Sequence, residues 1–226
     1  MNARKVITVI FNFAIFGALL FGPAGTLACW RAWVLLGVVL IASILTMGTA
    51  FRGNEELLNE RFKSPIQKDQ PLADKIIVIV FVTLFFGLVV MIPLDVFRWH
   101  WLTSPGPAVS SAGIALFVIG WWLIALSLGA NRFAAPVVKY QAERQQAVIA
   151  AGPYRLIRHP MYAGGVLIMI GMPLWLGSYT ATILAGLPIL ALAIRIVFEE
   201  QFLRRELQGY SDYATRIRYR LVPFLW

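Results

Sequence analysis

Long apolar blocks alternate with short polar connections along this chain. A membrane-crossing helix needs about 20 mostly apolar residues, and residues 6–22, 32–51, 76–94, 111–130 and 179–198 reach or approach that length. Residues 163–176 form a shorter block, and about 14 residues of helix extend only about 21 Å. Leu176-Gly177-Ser178 separates this block from the last one as a tight turn, which predicts a helical hairpin. The pattern predicts an all-α, polytopic transmembrane bundle of five to six spans. Three connections carry patterns of their own. Residues 54–62 are amphipathic and are stopped by Pro65 and Pro71. Residues 131–150 place Phe133, Val137, Val138, Tyr140 and Val148 among polar neighbours, and residues 199–216 read as a cytoplasmic C-terminal helix with Phe202, Leu203 and Leu207 on one side. Both of these segments suit a membrane surface. The Ala181 and Ala185 pair permits close helix packing.

Composition agrees. The chain is 59% hydrophobic and only 14% charged, whereas a soluble domain is roughly half apolar and about a quarter charged. It reads as one compact membrane domain whose first partner is the lipid bilayer. A net charge of +9 would suggest nucleic acid in a soluble protein, but here the basic residues fall between apolar blocks, so no nucleic-acid partner is expected. With six spans and a cytoplasmic N-terminus, all of the 20 lysines and arginines except Arg31 and Arg98 lie on the cytoplasmic side, as the positive-inside rule requires. Trp30, Trp33, Trp99 and Trp101 then mark the opposite boundary. Arg4-Lys5 before an apolar run resembles a signal peptide and is read as a retained anchor. In a bacterial cell this topology implies the inner membrane. Cys29 is the sole cysteine, and His100 and His159 lie far apart, so neither an internal disulfide nor a metal site is expected. Oligomeric state leaves no signature.

One polar island stands out, Gly152-Pro153-Tyr154-Arg155-Leu156-Ile157-Arg158-His159-Pro160-Met161-Tyr162. Membrane proteins keep such groups where water, a ligand or a partner charge meets them. If the last two blocks form a hairpin, Glu199 and Glu200 return to the island's side, joined by Tyr210, Tyr213, Arg216, Arg218 and Arg220. Blander roles exist for each group. Arg155 and Arg158 suit lipid phosphates, His159 before Pro160 suits a helix start, and Glu199 lies one turn from Arg195.

The run Gly-Pro-Tyr-x-x-x-Arg-His-Pro-x-Tyr-x-Gly at residues 152–164 resembles the signature of the isoprenylcysteine carboxyl methyltransferase family. Glu199-Glu200-x-x-Leu203, Tyr213, Arg216 and Pro223-Phe224 are similar to that family's C-terminal block. The resemblance spans residues 131–226. It implies S-adenosylmethionine as methyl donor, S-adenosylhomocysteine as product, no metal and no Rossmann domain; no GxGxxG run occurs. It further implies a donor site built from Val148, Ile149, Gly152, Tyr154, His159 and Tyr162, with Glu200 and Arg216 at the reacting end. At Gln146 relatives often carry a histidine. On chemical grounds Arg158 suits the donor's carboxylate, Arg216 suits an acceptor carboxylate, and Glu199 or Glu200 could take a proton from an amine or thiol acceptor. Residues 1–130 are expected to shape the entrance for a lipophilic or lipid-modified acceptor, and residues 131–226 to form the catalytic core. Phospholipid N-methyltransferases, thiol methyltransferases and NADPH-dependent membrane sterol reductases have related C-terminal halves and remain alternatives, as does a non-catalytic membrane protein.

Overall fold

A computed structural model describes residues 3–68 and 70–226, with side chains from Val9 onward. The Arg4 and Lys5 side chains used in the charge reading lie outside the described residues. Among the described residues the regular structure is entirely helical: α1 (Ala3–Ala24), α2 (Trp30–Thr49), α3 (Glu55–Arg61), α4 (Leu72–Leu94), α5 (Pro107–Ala130), α6 (Pro160–Leu176), α7 (Tyr179–Leu184), α8 (Gly186–Glu206) and α9 (Tyr210–Arg216). Four helical stretches are long and apolar enough to cross a membrane: Trp30–Thr49, Leu72–Trp99, Pro107–Ala130 and Tyr179–Glu206. Val9–Ala24 and Pro160–Leu176 are shorter apolar helices. The chain is an integral membrane protein, and all six blocks predicted from the sequence appear as helices.

The tightest packing joins α5 and α6, which run antiparallel. Gly113 and Gly120 on α5 face Gly171 and Gly164 on α6. A Cβ on Gly120 would stand 2.5 Å from the Gly164 carbonyl oxygen, and one on Gly171 would stand 2.5 Å from that of Gly113. Small residues let helix backbones approach closely where lipid offers no hydrophobic drive. The sequence reading named Ala181 and Ala185, both fully buried, but missed this glycine seam. The core joins these two helices to α2 and α4, with Leu35, Val89, Ile92, Phe117, Met169 and Met172 at its centre.

The last hairpin forms, though its details differ from the pattern. α6 begins at Pro160 rather than at residue 163 and is 17 residues long, about 25 Å at 1.5 Å per residue. That is shorter than a hydrocarbon core of about 30 Å. The predicted single helix over 199–216 is two pieces. α8 carries the last span through to Glu206, and Gly209, at φ 81, breaks the chain before α9. A glycine in this left-handed region is a common helix stop. Residues 131–150 form an extended strap with one short turn at Ala142–Arg144.

Candidate methyl-donor cleft

The island, the strap and the α8–α9 corner meet at one end of the bundle and enclose a cleft. Its walls include Phe133, Val137, Val148 and Ile149 from the strap, Tyr154, His159 and Tyr162 from the island, and Glu199, Leu203 and Tyr210 from the corner. Local chemistry explains the island's path. Gly152 adopts φ +53, which glycine enters without steric cost. Pro160 occupies the first turn of α6, where a missing N–H costs nothing. His159 lies just ahead of that turn, so the island's aromatic rings and the α6 N-terminus point into the same space.

A buried charge cluster holds the cleft shut from behind. Glu200 is 3% exposed and Arg158 is 6% exposed. Glu200 Oε1 accepts from Arg158 Nε at 2.6 Å and lies 3.2 Å from His159 Nε2, while Oε2 accepts from Arg220 Nε at 3.1 Å. Arg158 Nη1 donates to the carbonyls of Ile217 at 2.6 Å and Arg218 at 2.8 Å, just beyond the C-terminus of α9. These carbonyls have no helical partner of their own. The backbone joins in: Arg158 N donates to Tyr219 O and His159 N to Arg220 O, each at 2.9 Å. The Tyr213 hydroxyl donates to Tyr154 O at 2.8 Å. Segments some 60 residues apart are thus fastened by charge and backbone hydrogen bonds together.

Inside the cleft, the His159 and Tyr162 rings stack at 5.6 Å. The Tyr162 hydroxyl donates to Glu199 Oε2 at 2.6 Å. The Tyr154 hydroxyl is buried, and desolvation pushes its pKa up to about 12, so it stays neutral. Burial also pushes the Tyr210 phenol up. Tyr210 is the one cleft residue whose buried side-chain oxygen has no hydrogen-bond partner among the described residues, and an unmet buried donor costs about 1–3 kcal/mol.

Most of the site residues expected from sequence come together here. Val148, Ile149, Tyr154, Arg158, His159, Tyr162 and Glu199 line the cleft, and Glu200 supports it from below. Gly152 does not line it; the residue is exposed, and it makes the turn. Arg216 is placed apart from the others: it is exposed on α9, outside the cleft, with no hydrogen bond or ion pair among the described residues. The buried residues of α9 are Tyr210, Tyr213 and Ala214, and Arg216 ends the helix. Arg220, expected from the sequence on the island's side, lies beside Glu200. The local Arg195–Glu199 ion pair is a correction. Arg195 Nε instead donates to Asp74 Oδ1 at 2.9 Å, with its guanidinium 5.7 Å above the Tyr162 ring. Asp74 Oδ2 also accepts from Val138 N at 3.0 Å, which fixes the strap to α4 and α8. Gln146, where relatives often carry histidine, accepts from Gln141 N at 2.9 Å and shapes the strap's turn.

The strap is also held to α3. Lys139 Nζ donates to Glu60 Oε2 at 2.8 Å, Lys63 pairs with the same carboxylate, and Arg144 pairs with Glu56 at 2.9 Å. Burial works against the Glu60 charge, but the two lysine hydrogen bonds outweigh it and hold its pKa below the usual carboxylate value.

The arrangement is a membrane-embedded helical bundle with a polar, aromatic cleft at one end, and comparison with known proteins shows what it resembles. Residues 109–209 match the phospholipid methyltransferase family, so the matched stretch runs from α5 into the α8–α9 corner. Among individual proteins, the chain is 32% identical over 120 residues to a "Probable protein-S-isoprenylcysteine O-methyltransferase" of Oryza sativa subsp. indica, covering 52% of this chain and 62% of that one. The japonica protein of the same name matches equally. "Protein-S-isoprenylcysteine O-methyltransferase B" of Arabidopsis thaliana is 24% identical over 123 residues, covering 53% and 59%. The chain therefore spans about three-fifths of the length of these curated relatives. The resemblance read from the island and the Glu199-Glu200 block is borne out.

Proposed function

We propose that the chain is an S-adenosylmethionine-dependent membrane methyltransferase that forms a carboxyl methyl ester on a lipophilic acceptor at the cytoplasmic face. The observation that carries this reading is the cleft itself. Island residues His159 and Tyr162 meet Glu199 and Tyr210 across it, within or beside the stretch matched by a methyltransferase family. The residues fit the donor's chemistry. Tyr154 and Tyr162 offer aromatic faces to a cation, worth roughly 0.5–2 kcal/mol. Val148, Ile149 and Leu203 offer apolar surface to an adenine ring. Arg158 Nη2, the one nitrogen of that guanidinium without a hydrogen bond among the described residues, and the α6 N-terminus both favour a carboxylate. The unmet Tyr210 hydroxyl supplies a further polar contact. Bound there, the donor would supply an electrophilic methyl group. The chain's own part is to align the reactants and exclude water, which can supply about 7–11 kcal/mol. Glu200 is a positioning residue: it stands behind the cleft lining and holds Arg158, His159 and Arg220.

The two halves divide the work. Residues 131–226 hold the donor. Residues 1–130 shape the acceptor's entrance, through an apolar groove of about 880 Å³ between α2 and α5, lined by Leu45, Ala50, Trp122 and Gly129. Ala50 packs in one cluster with Ala134 and Met161, which also line the cleft, so a tail in the groove would bring a head group to the donor. The names of the rice and Arabidopsis relatives point to a lipid-modified cysteine as acceptor. The distribution of basic residues supports a cytoplasmic N-terminus and cleft. A second reading, N-methylation of a phospholipid amine, is favoured by the family's name and by Glu199 as a proton acceptor. Purified protein in nanodiscs, given tritiated S-adenosylmethionine with N-acetyl-S-farnesyl-L-cysteine or with phosphatidylethanolamine, separates the two. Label released as methanol by base marks a methyl ester, and base-stable label in lipid marks N-methylation. Transfer to neither would refute both.

A further inference from the structure

Nearly every buried or half-buried cation at the cleft end has an anionic partner. Lys139 pairs with Glu60, Arg144 with Glu56, Arg195 with Asp74, and Arg158 and Arg220 with Glu200. Arg61 is the exception. It ends α3, is only partly exposed, and has no hydrogen bond or ion pair among the described residues. Its side of α3 faces the site. Leu57, one turn earlier, is fully buried in one packed cluster with Ala134 and Met161, both of which line the cleft, and residues four apart share a helix face. The groups that act electrostatically on Arg61 are Tyr162, Arg195 and Tyr154, two of them cleft tyrosines. Burial depresses its pKa, and no carboxylate among those neighbours offsets the effect. A desolvated guanidinium without a counterion is costly unless a ligand supplies one.

We propose that Arg61 receives the acceptor's carboxylate and thereby selects an acid over its neutral analogues; this rests on the carboxyl-methyltransferase reading above. In the transfer one carboxylate oxygen forms a bond to the methyl carbon. The methyl carbon's bond to the donor sulfur breaks, and its electron pair stays on sulfur. Carboxylate and sulfonium become a neutral ester and a neutral thioether, so Arg61 holds the substrate and releases the product. The planar guanidinium fork suits a carboxylate in two-point contact. The feature links the halves of the chain, because α3 belongs to the N-terminal 130 residues.

The test uses the full chain in nanodiscs. N-acetyl-S-farnesyl-L-cysteine is the acceptor, its primary amide is a competing ligand, and S-adenosylhomocysteine reports the donor site. Arg61→Gln should raise the acceptor KM at least tenfold and abolish the preference for acid over amide, while S-adenosylhomocysteine affinity stays within twofold. Arg61→Lys, which keeps the charge without the fork, should fall between. An unchanged acid preference in Arg61→Gln, or loss of S-adenosylhomocysteine binding in both variants, overturns the proposal. Absence of transfer by the unaltered protein would instead refute the function on which it rests.

Discussion

Replacing Glu200 with glutamine is the most informative perturbation of the site's architecture. The change keeps the side chain's shape and one acceptor oxygen but removes the charge that faces Arg158, His159 and Arg220. Arg158 loses a counterion 2.6 Å away while its side chain remains only 5% exposed. Leaving one member of a buried pair uncompensated costs about 3–5 kcal/mol. Arg220 adds little, because its side chain is 31% exposed and solvent screens it. Arg158 keeps its backbone acceptors at Ile217 and Arg218, and the amide still accepts one hydrogen bond. The expected loss is therefore near the lower figure, about 3 kcal/mol. Equilibrium unfolding in mixed micelles measures it. Arg158→Met with Glu200→Met should destabilise far less than the two single changes summed, because the paired charges leave together. A Glu200→Gln protein within about 0.5 kcal/mol of the unaltered one, the usual range for a surface change, would refute this account of the cluster.

The glycine seam predicts that Gly120→Ala forces α5 and α6 apart from a 2.5 Å clash with the Gly164 carbonyl, costing about 1–3 kcal/mol in the same unfolding assay; Gly165→Ala, with nothing within 4 Å, should be silent. Tyr210→Phe should act in opposite directions on two readouts. Removing an unmet buried hydroxyl should stabilise the free protein by about 1 kcal/mol or more, while weakening S-adenosylhomocysteine binding severalfold by calorimetry. The strap's attachment at Glu60 should be acid-sensitive. Its folded pKa lies below the usual carboxylate value, so the stabilisation is present above the usual value and is lost as pH falls through the depressed one; hydrogen exchange across residues 131–150 should rise there, and Glu60→Gln should remove the dependence.

Much of this architecture is legible along the chain because spans are set by local apolar length. The island and the Glu199-Glu200 block could be brought together from sequence, since a hairpin returns its two ends to one side. What escaped depended on contacts between distant helices. The Arg195–Asp74 bond requires α4 to lie beside α8, which no periodicity states. Glycines seven residues apart on α5 mean little until the matching pair on α6 faces them. The single helix read over 199–216 is broken because Gly209 takes a left-handed φ of 81 before α9. Arg61 carried no motif at all, and its position emerges only once Leu57 docks α3 against the strap.

The central claim is that segments far apart in sequence jointly enclose the methyl donor. Calorimetric titration of S-adenosylhomocysteine into the protein in nanodiscs tests it, beside Tyr162→Ala, which removes the ring stacked on His159. The account predicts saturable binding at one site, abolished by the substitution. No detectable binding to folded protein, or equal affinity in the variant, would contradict it.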